Sequence, residues 1–323
     1  MRTNTRKIWI AGLATVASLG ATPQNTELID AARSADVTKV ATLLEQRVDV
    51  NAAQADGATA LHWAAHLDHK EMTSALIRAG AAVNITNDFG VTPLWLACLN
   101  GSATMVKLLL QAGADATAAL PSGETTLMTA SRSGSAEAVS LLVAYGANPN
   151  AQEYSRGQTA LMWAVAQRHQ AVVKTLVELG ADLHIRSTAR PRRIHTRTAG
   201  FNPAGVIDVV QGGFTAMLFA ARSGDLEIAT HLVDGGADID DTSLLGTSAL
   251  VVATHSGHTA LATFLLERGA DPNAADAGYS ALHTATLRGD QALVRALLAR
   301  GADPNVLVQR GSPGRRNSPD YVL

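Results

Sequence analysis

Apolar and polar positions along this 323-residue chain recur as a phrase. A small hydroxyl residue, one variable residue and a large aliphatic appear as Thr26-Glu27-Leu28, Thr59-Ala60-Leu61, Thr92-Pro93-Leu94, Thr125-Thr126-Leu127 and Thr159-Ala160-Leu161. After a gap they return as Thr215-Ala216-Met217, Ser248-Ala249-Leu250 and Ser280-Ala281-Leu282. Consecutive anchors lie 33 residues apart, within one, except for a step of 56 from Leu161 to Met217. Eight repeats and one insertion follow from that spacing.

Each repeat carries its own start and stop signals. The Thr or Ser is an N-cap whose hydroxyl accepts a backbone N–H of the first helical turn, and Pro93 stands where a missing N–H does no harm. Gly80, Gly113, Gly146, Gly180, Gly236, Gly269 and Gly301 each follow some 20 residues later and suit the left-handed residue that ends a helix. Breaks such as Gly101-Ser102 and Gly134-Ser135 divide the interval into two helices, the second marked by apolar pairs such as Leu108-Leu109, Leu141-Leu142 and Leu297-Leu298.

These residues resemble ankyrin repeats over Asn25 to Asn305. Thr59-Ala60-Leu61-His62 and Ser280-Ala281-Leu282-His283 are similar to that family's Thr-Pro-Leu-His phrase, and Gly269-Ala270-Asp271-Pro272-Asn273 and Gly301-Ala302-Asp303-Pro304-Asn305 to its helix-to-finger phrase. The resemblance implies an all-α solenoid of helix-turn-helix repeats with β-hairpin finger loops. It also implies a structural role for the motif histidine, which Trp95, Met128, Met162, Leu218 and Val251 replace in other repeats.

The insertion, Ser187 to Gly212, follows Gly180-Ala181-Asp182 and so extends a finger without breaking a helix. Its first half is basic, with Arg190, Arg192, Arg193 and Arg197, and its second half carries the apolar run Val206 to Val210. A long loop of this kind is commonly functional or disordered.

Composition narrows the function. Hydrophobic residues make up 47% of the chain but aromatics only 4%, so the core must be built from Ala and Leu. A net charge of -2 excludes a globally basic nucleic-acid binder while leaving room for a local patch. At the N-terminus, Arg2, Arg6 and Lys7 precede the uncharged run Ile8 to Leu19 and the small residues Gly20 and Ala21. This order predicts a signal peptide over 1–21, cleaved near Ala21, and a periplasmic or secreted protein. The run is too short for a transmembrane helix, so no membrane anchor is expected after cleavage. The lone Cys98 is expected to be a small buried residue.

No catalytic set, phosphate loop or paired-carboxylate motif stands out, and neither a cofactor nor a small-molecule substrate is expected. His62, His66 and His69 have helical spacing, but the motif role of His62 and the turn position of His69 argue against a metal. His255 and His258 are read the same way. An unknown protein partner is expected instead, because neighbouring repeats consume the hydrophobic faces of both helices and leave the fingers and the first-helix concave face free to vary.

By register, those positions include Asp88, Phe89, Leu99, Asn100, Arg132, Arg156 and Gln158. They continue through Phe214, Arg222, Leu244, Leu245, His255, Tyr279, Leu287 and Arg288, with Arg192, Arg193 and Arg197 on the insertion. Alternatives are a regulatory or targeting portion of a larger enzyme and an electrostatic binder of anionic surfaces through the insertion. Nucleic acid is disfavoured because the basic cluster has no interleaved aromatics for stacking. The last repeat, Ala292 to Leu298, lacks the polar face of a capping repeat, and Val306 to Leu323 is expected to form an irregular tail.

Overall fold

The structure is a computed structural model that describes residues 23–195 and 206–308. They fall into two compact units divided between Asn148 and Pro149. The first unit contains four helix pairs: α1 (Pro23–Arg33) with α2 (Val37–Glu45), α3 (Ala60–His66) with α4 (Lys70–Arg78), α5 (Pro93–Asn100) with α6 (Ala103–Gln111), and α7 (Thr126–Ser133) with α8 (Ala136–Ala144). The second contains α9 (Ala160–Ala166) with α10 (Gln170–Glu178), then the strands β1 (Arg190–His195) and β2 (Val206–Gln211). Three further pairs follow: α11 (Ala216–Ser223) with α12 (Leu226–Asp234), α13 (Ala249–Ser256) with α14 (Thr259–Glu267), and α15 (Ala281–Arg288) with α16 (Gln291–Ala299).

The helices begin where hydroxyl groups can satisfy their free N–H donors. Thr92, Thr125, Thr159, Thr215, Ser248 and Ser280 are all N-caps whose side chains accept from the N–H three residues on. Thr26 differs from the expectation. It lies inside α1, which opens at Pro23, so the first repeat has no hydroxyl cap at that position.

Helix ends follow the same economy. Gly80, with φ 90°, closes α4 as Ala81 donates its N–H to the Leu76 carbonyl at 2.9 Å. Ala35, Asp68 and Arg168 adopt the left-handed conformation at turns where other repeats place glycine, with φ of 57°, 54° and 62°.

Packing explains the 33-residue period. Within each unit, first helices stack on first helices and second on second: α1 on α3, α3 on α5 and α5 on α7, then α9 on α11, α11 on α13 and α13 on α15. The anchors Leu61, Leu94, Leu127, Leu161, Met217 and Leu250 are buried between them, as are Leu76, Leu109, Leu142, Leu176, Leu232, Leu265 and Leu297 of the second helices. Each such side chain contributes about 1.5–3 kcal/mol on burial. Alanines at the contacts allow the close approach that the shortage of aromatics had suggested. Cys98 is fully buried on α5, and burial pushes its thiol far above the ordinary range.

Side chains also tie successive fingers together. The Asn51 Oδ1 accepts the Ala82 N–H, Asn84 Oδ1 that of Asp115, Asn150 Oδ1 that of Asp182, and Asn273 Oδ1 that of Asp303, each at 2.8 Å.

The described residues of the insertion form a pair of strands. β1 and β2 pair antiparallel, with Arg190 opposite Gln211 and His195 opposite Val206. Their base is closed by Ser187 and Phe214, whose N–H and carbonyl meet at 2.9 Å, while the Ser187 hydroxyl accepts the Phe214 N–H at 3.0 Å. Gly212 (φ 98°) is required here, because a Cβ on it would meet the Thr188 carbonyl oxygen at 2.1 Å.

Candidate partner-binding surface

Three fingertips share one construction. In each of them a polar side chain folds the turn by accepting backbone N–H groups, and an apolar neighbour is left outside. Asn87 Oδ1 accepts from Phe89 and Val91 at 3.1 and 2.9 Å, and Phe89 is 47% exposed beside the exposed Asp88.

At the next described tip built this way, the buried Glu153 carboxylate accepts from Ser155, Arg156 and Gln158, at 2.6, 2.6 and 3.2 Å, and Tyr154 is 75% exposed. Ser243 Oγ accepts from Leu245 and Thr247 at 3.3 and 3.2 Å and leaves Leu244 and Leu245 in solvent. An apolar side chain fixed on a preorganised turn loses little freedom when a partner covers it.

The first helices provide a second strip, four and seven residues after each cap. In the first unit it carries Trp63, His66, Leu96 and Leu99, all half-buried. The Arg33 guanidinium covers the Trp63 ring at 5.1 Å, and the Trp63 indole N–H donates to Gln54 at 3.2 Å. Arg132 meets the Glu124 carboxylate at 3.1 Å.

In the second unit the strip carries Trp163, Arg222, His255 and Leu287, with Phe219 buried at the same register. Phe214 and Phe219 meet edge to face at 5.7 Å, and the Arg222 guanidinium lies over both rings, at 5.7 and 5.2 Å. Burial against them lowers the pKa of Arg222 from its ordinary value.

Several sequence-predicted contact residues are differently employed. Phe214 and Tyr279 do not reach the surface, being 5% and 6% exposed. They occupy the position just before an N-cap, where Ala58, Val91 and Thr247 are likewise buried beneath the finger.

Asn100 is turned inward: its amide donates to the carbonyls of Ala65 and His66, at 3.2 and 2.8 Å, and so completes the end of the preceding first helix. Arg288 does the same for His255, at 2.8 Å, although it remains exposed. Arg156 is exposed, and its carbonyl accepts the Thr188 N–H at the foot of the insertion. Arg192 and Arg193 stand in β1 opposite Val209 and Asp208, and Arg197 lies outside the described residues.

Tyr154, Trp63 and Trp163 occupy fingertip and strip positions but were not among the sequence-predicted contact residues. The signal that could have found them was the fixed offset from the tip acceptor or from the cap.

The histidines considered for a metal serve the fold. His62 completes the cap of α3, His66 meets Trp63 edge to face at 6.0 Å, and His69 caps α4 through the Met72 N–H at 3.3 Å. His258 stands 3.0 Å from the Arg222 carbonyl through its Nε2.

Stacked helix pairs linked by fingers define a helical repeat protein. A family model described as ankyrin repeats (3 copies) matches residues 28–119, 114–187 and 207–307. The chain therefore belongs to the ankyrin-repeat family. The gap between the second and third matches, 188–206, lies within the insertion.

Among solved structures, the human ASB11 ankyrin repeat domain is similar, with 25% identity and a TM-score of 0.58, over 88% of this chain and 100% of that one. No curated protein matches the sequence. Ankyrin repeats are in general protein-interaction modules. Among the described residues, no helix is long and apolar enough to cross a membrane.

Proposed function

We propose that this chain is an exported ankyrin module that binds a protein partner through its fingertips and first-helix strip, with the insertion acting as an added arm. One observation carries the reading: Phe89, Tyr154 and Leu244 are exposed on turns held by side-chain acceptors. Aromatic and aliphatic side chains presented in this way are typical interface anchors.

Export rests on the basic, apolar and small-residue order of the first 21 residues.

Two measurements test the proposal. The N-terminus of the protein purified from the exported fraction should begin at or near Thr22, and a retained Met1 would refute cleavage. A single stoichiometric polypeptide should co-purify, and Phe89→Glu, Tyr154→Glu and Leu244→Glu should each weaken its binding about tenfold or more without lowering the melting temperature. Unchanged affinity in all three variants would place the partner elsewhere.

A further inference from the structure

We infer that Arg222 is the anchor for an acidic side chain of the partner polypeptide, with the Leu244 fingertip receiving an apolar residue beside it. The inference rests on the protein-binding reading above and specifies the chemistry of one place on that surface.

Its first support is that Arg222 is held in place. Helical side chains lean toward the N-terminus of their helix, so Arg222 at the end of α11 lies back over Phe219, three residues earlier, and over Phe214 before the cap. The planar guanidinium rests on two rings that are themselves locked edge to face. A fork fixed in this way gives up little entropy when it takes a carboxylate.

The second support is the charge ledger of the surroundings. Arg33 faces Asp30, Arg132 faces Glu124, Arg168 faces Asp225, Arg186 faces Asp241 and Arg268 faces Asp234. Among the described residues, no carboxylate faces Arg222. The acids near it in the chain are engaged elsewhere: Asp225 accepts from Arg168, Gln170 and the Ile228 N–H, and Asp241 accepts from Arg186 and Thr215. The side chain as a whole is exposed, yet its charged end is partly stripped of water by the rings beneath. A cation in that condition gains more from an incoming anion than a fully hydrated one does.

The apolar half of the site adjoins it through the chain. Leu244 lies so close over Gly213 that a Cβ there would meet its side chain at 2.4 Å, and Gly213 is bonded to Phe214, the residue beneath the guanidinium. Leu244 is nevertheless 53% exposed. A cation on an aromatic shelf beside an exposed aliphatic suits an Asp or Glu neighboured by a large apolar residue in an extended or helical segment.

The test uses the full chain against a displayed library of random linear peptides, with affinities then measured for the enriched sequences. Wild-type protein should enrich peptides that pair an acid with an apolar residue. Arg222→Gln should bind them at least about tenfold more weakly at an unchanged melting temperature, and Arg222→Lys, which keeps the charge but not the planar fork, should recover only part of the loss. Peptides bound equally well by wild type and Arg222→Gln, or enriched without acids, would overturn the assignment of Arg222 and leave the protein-binding reading standing. Full recovery by lysine would overturn the role given to stacking. Failure of wild-type protein to retain any peptide would count against both readings.

Discussion

The Nε2 of His62 stands 3.0 Å from the carbonyl oxygen of Val91, so a side chain of α3 closes the finger that leads into α5. Its other nitrogen, Nδ1, accepts the Thr59 N–H at 3.1 Å. With that acceptor fixed, the proton belongs on Nε2, which donates to Val91, and the neutral ring satisfies both of its nitrogens. His283 repeats the arrangement, with Nδ1 3.0 Å from the Ser280 N–H and Nε2 2.9 Å from the Val306 carbonyl.

Burial holds the His62 pKa below its ordinary value, outweighing the Val91 carbonyl and Asp56, which both act to raise it. The unfolded chain therefore binds a proton near the usual histidine pKa of about 6.5 while the folded chain still does not. The stabilisation is complete above that value and is lost as pH falls through the lower, folded pKa. Thermal unfolding followed from pH 8 down to 5 should show the decline. His62→Met, which copies Met128 and Met162 at the same register, should flatten it. Parallel curves for the two proteins would show that His62 does not titrate with folding.

A second prediction concerns a buried hydroxyl. Thr73 of α4 is fully buried, and its Oγ has no hydrogen-bond partner among the described residues. The corresponding position of other second helices holds Val106, Val139 and Val173, which are equally buried. An unsatisfied hydroxyl costs about 1–3 kcal/mol, and valine has nearly the same shape. Thr73→Val should accordingly raise stability by about 1–2 kcal/mol in denaturant melts of the full chain. A fall in stability would mean that the hydroxyl is satisfied in solution.

How far such features could be read from the sequence depends on whether they are local or cross-repeat. The caps at Thr92 and Ser248 and the closing glycines are local events, decided within one turn of helix, and the recurring phrase displays them directly. The fate of Phe214 and Tyr279 was not legible in this way. Aromatic residues before a cap look like surface anchors until the finger that covers them is in place.

Asn100 and Arg288 posed the same difficulty, because the carbonyls they serve lie 33 to 35 residues back in the chain. The turn acceptors Asn87, Glu153 and Ser243 differ in residue type, which hid their common role and with it the exposure of Tyr154. The insertion showed in the sequence as a stretch of the period, but the register of β1 on β2 had no signal there.

The seat of that insertion supplies the third prediction. Arg186, just before the added finger, donates from Nη1 to the carbonyls of Gly213 and Thr242, at 2.9 and 2.6 Å, and from Nη2 to the Asp241 carboxylate. Asp241, whose side chain is 9% exposed, also accepts from the Thr215 hydroxyl at the cap of α11. One guanidinium thus joins the foot of the β1–β2 hairpin to the next finger and, through Asp241, to the start of a core helix.

Removing the arginine would leave three carbonyl or carboxylate acceptors short of a donor. Because the Arg186 side chain is 39% exposed, water would replace part of what is lost. The expected cost of Arg186→Met is therefore about 2 kcal/mol, below the range for a fully buried pair. Asp241→Asn should cost a similar amount, and the double variant should cost clearly less than the sum, because both single changes break the same contact. Amide exchange at β1 and β2 should quicken in either single variant if the clamp holds the hairpin in place. Additive losses, or exchange unchanged in the strands, would show that the hairpin is seated by the Ser187–Phe214 pair alone.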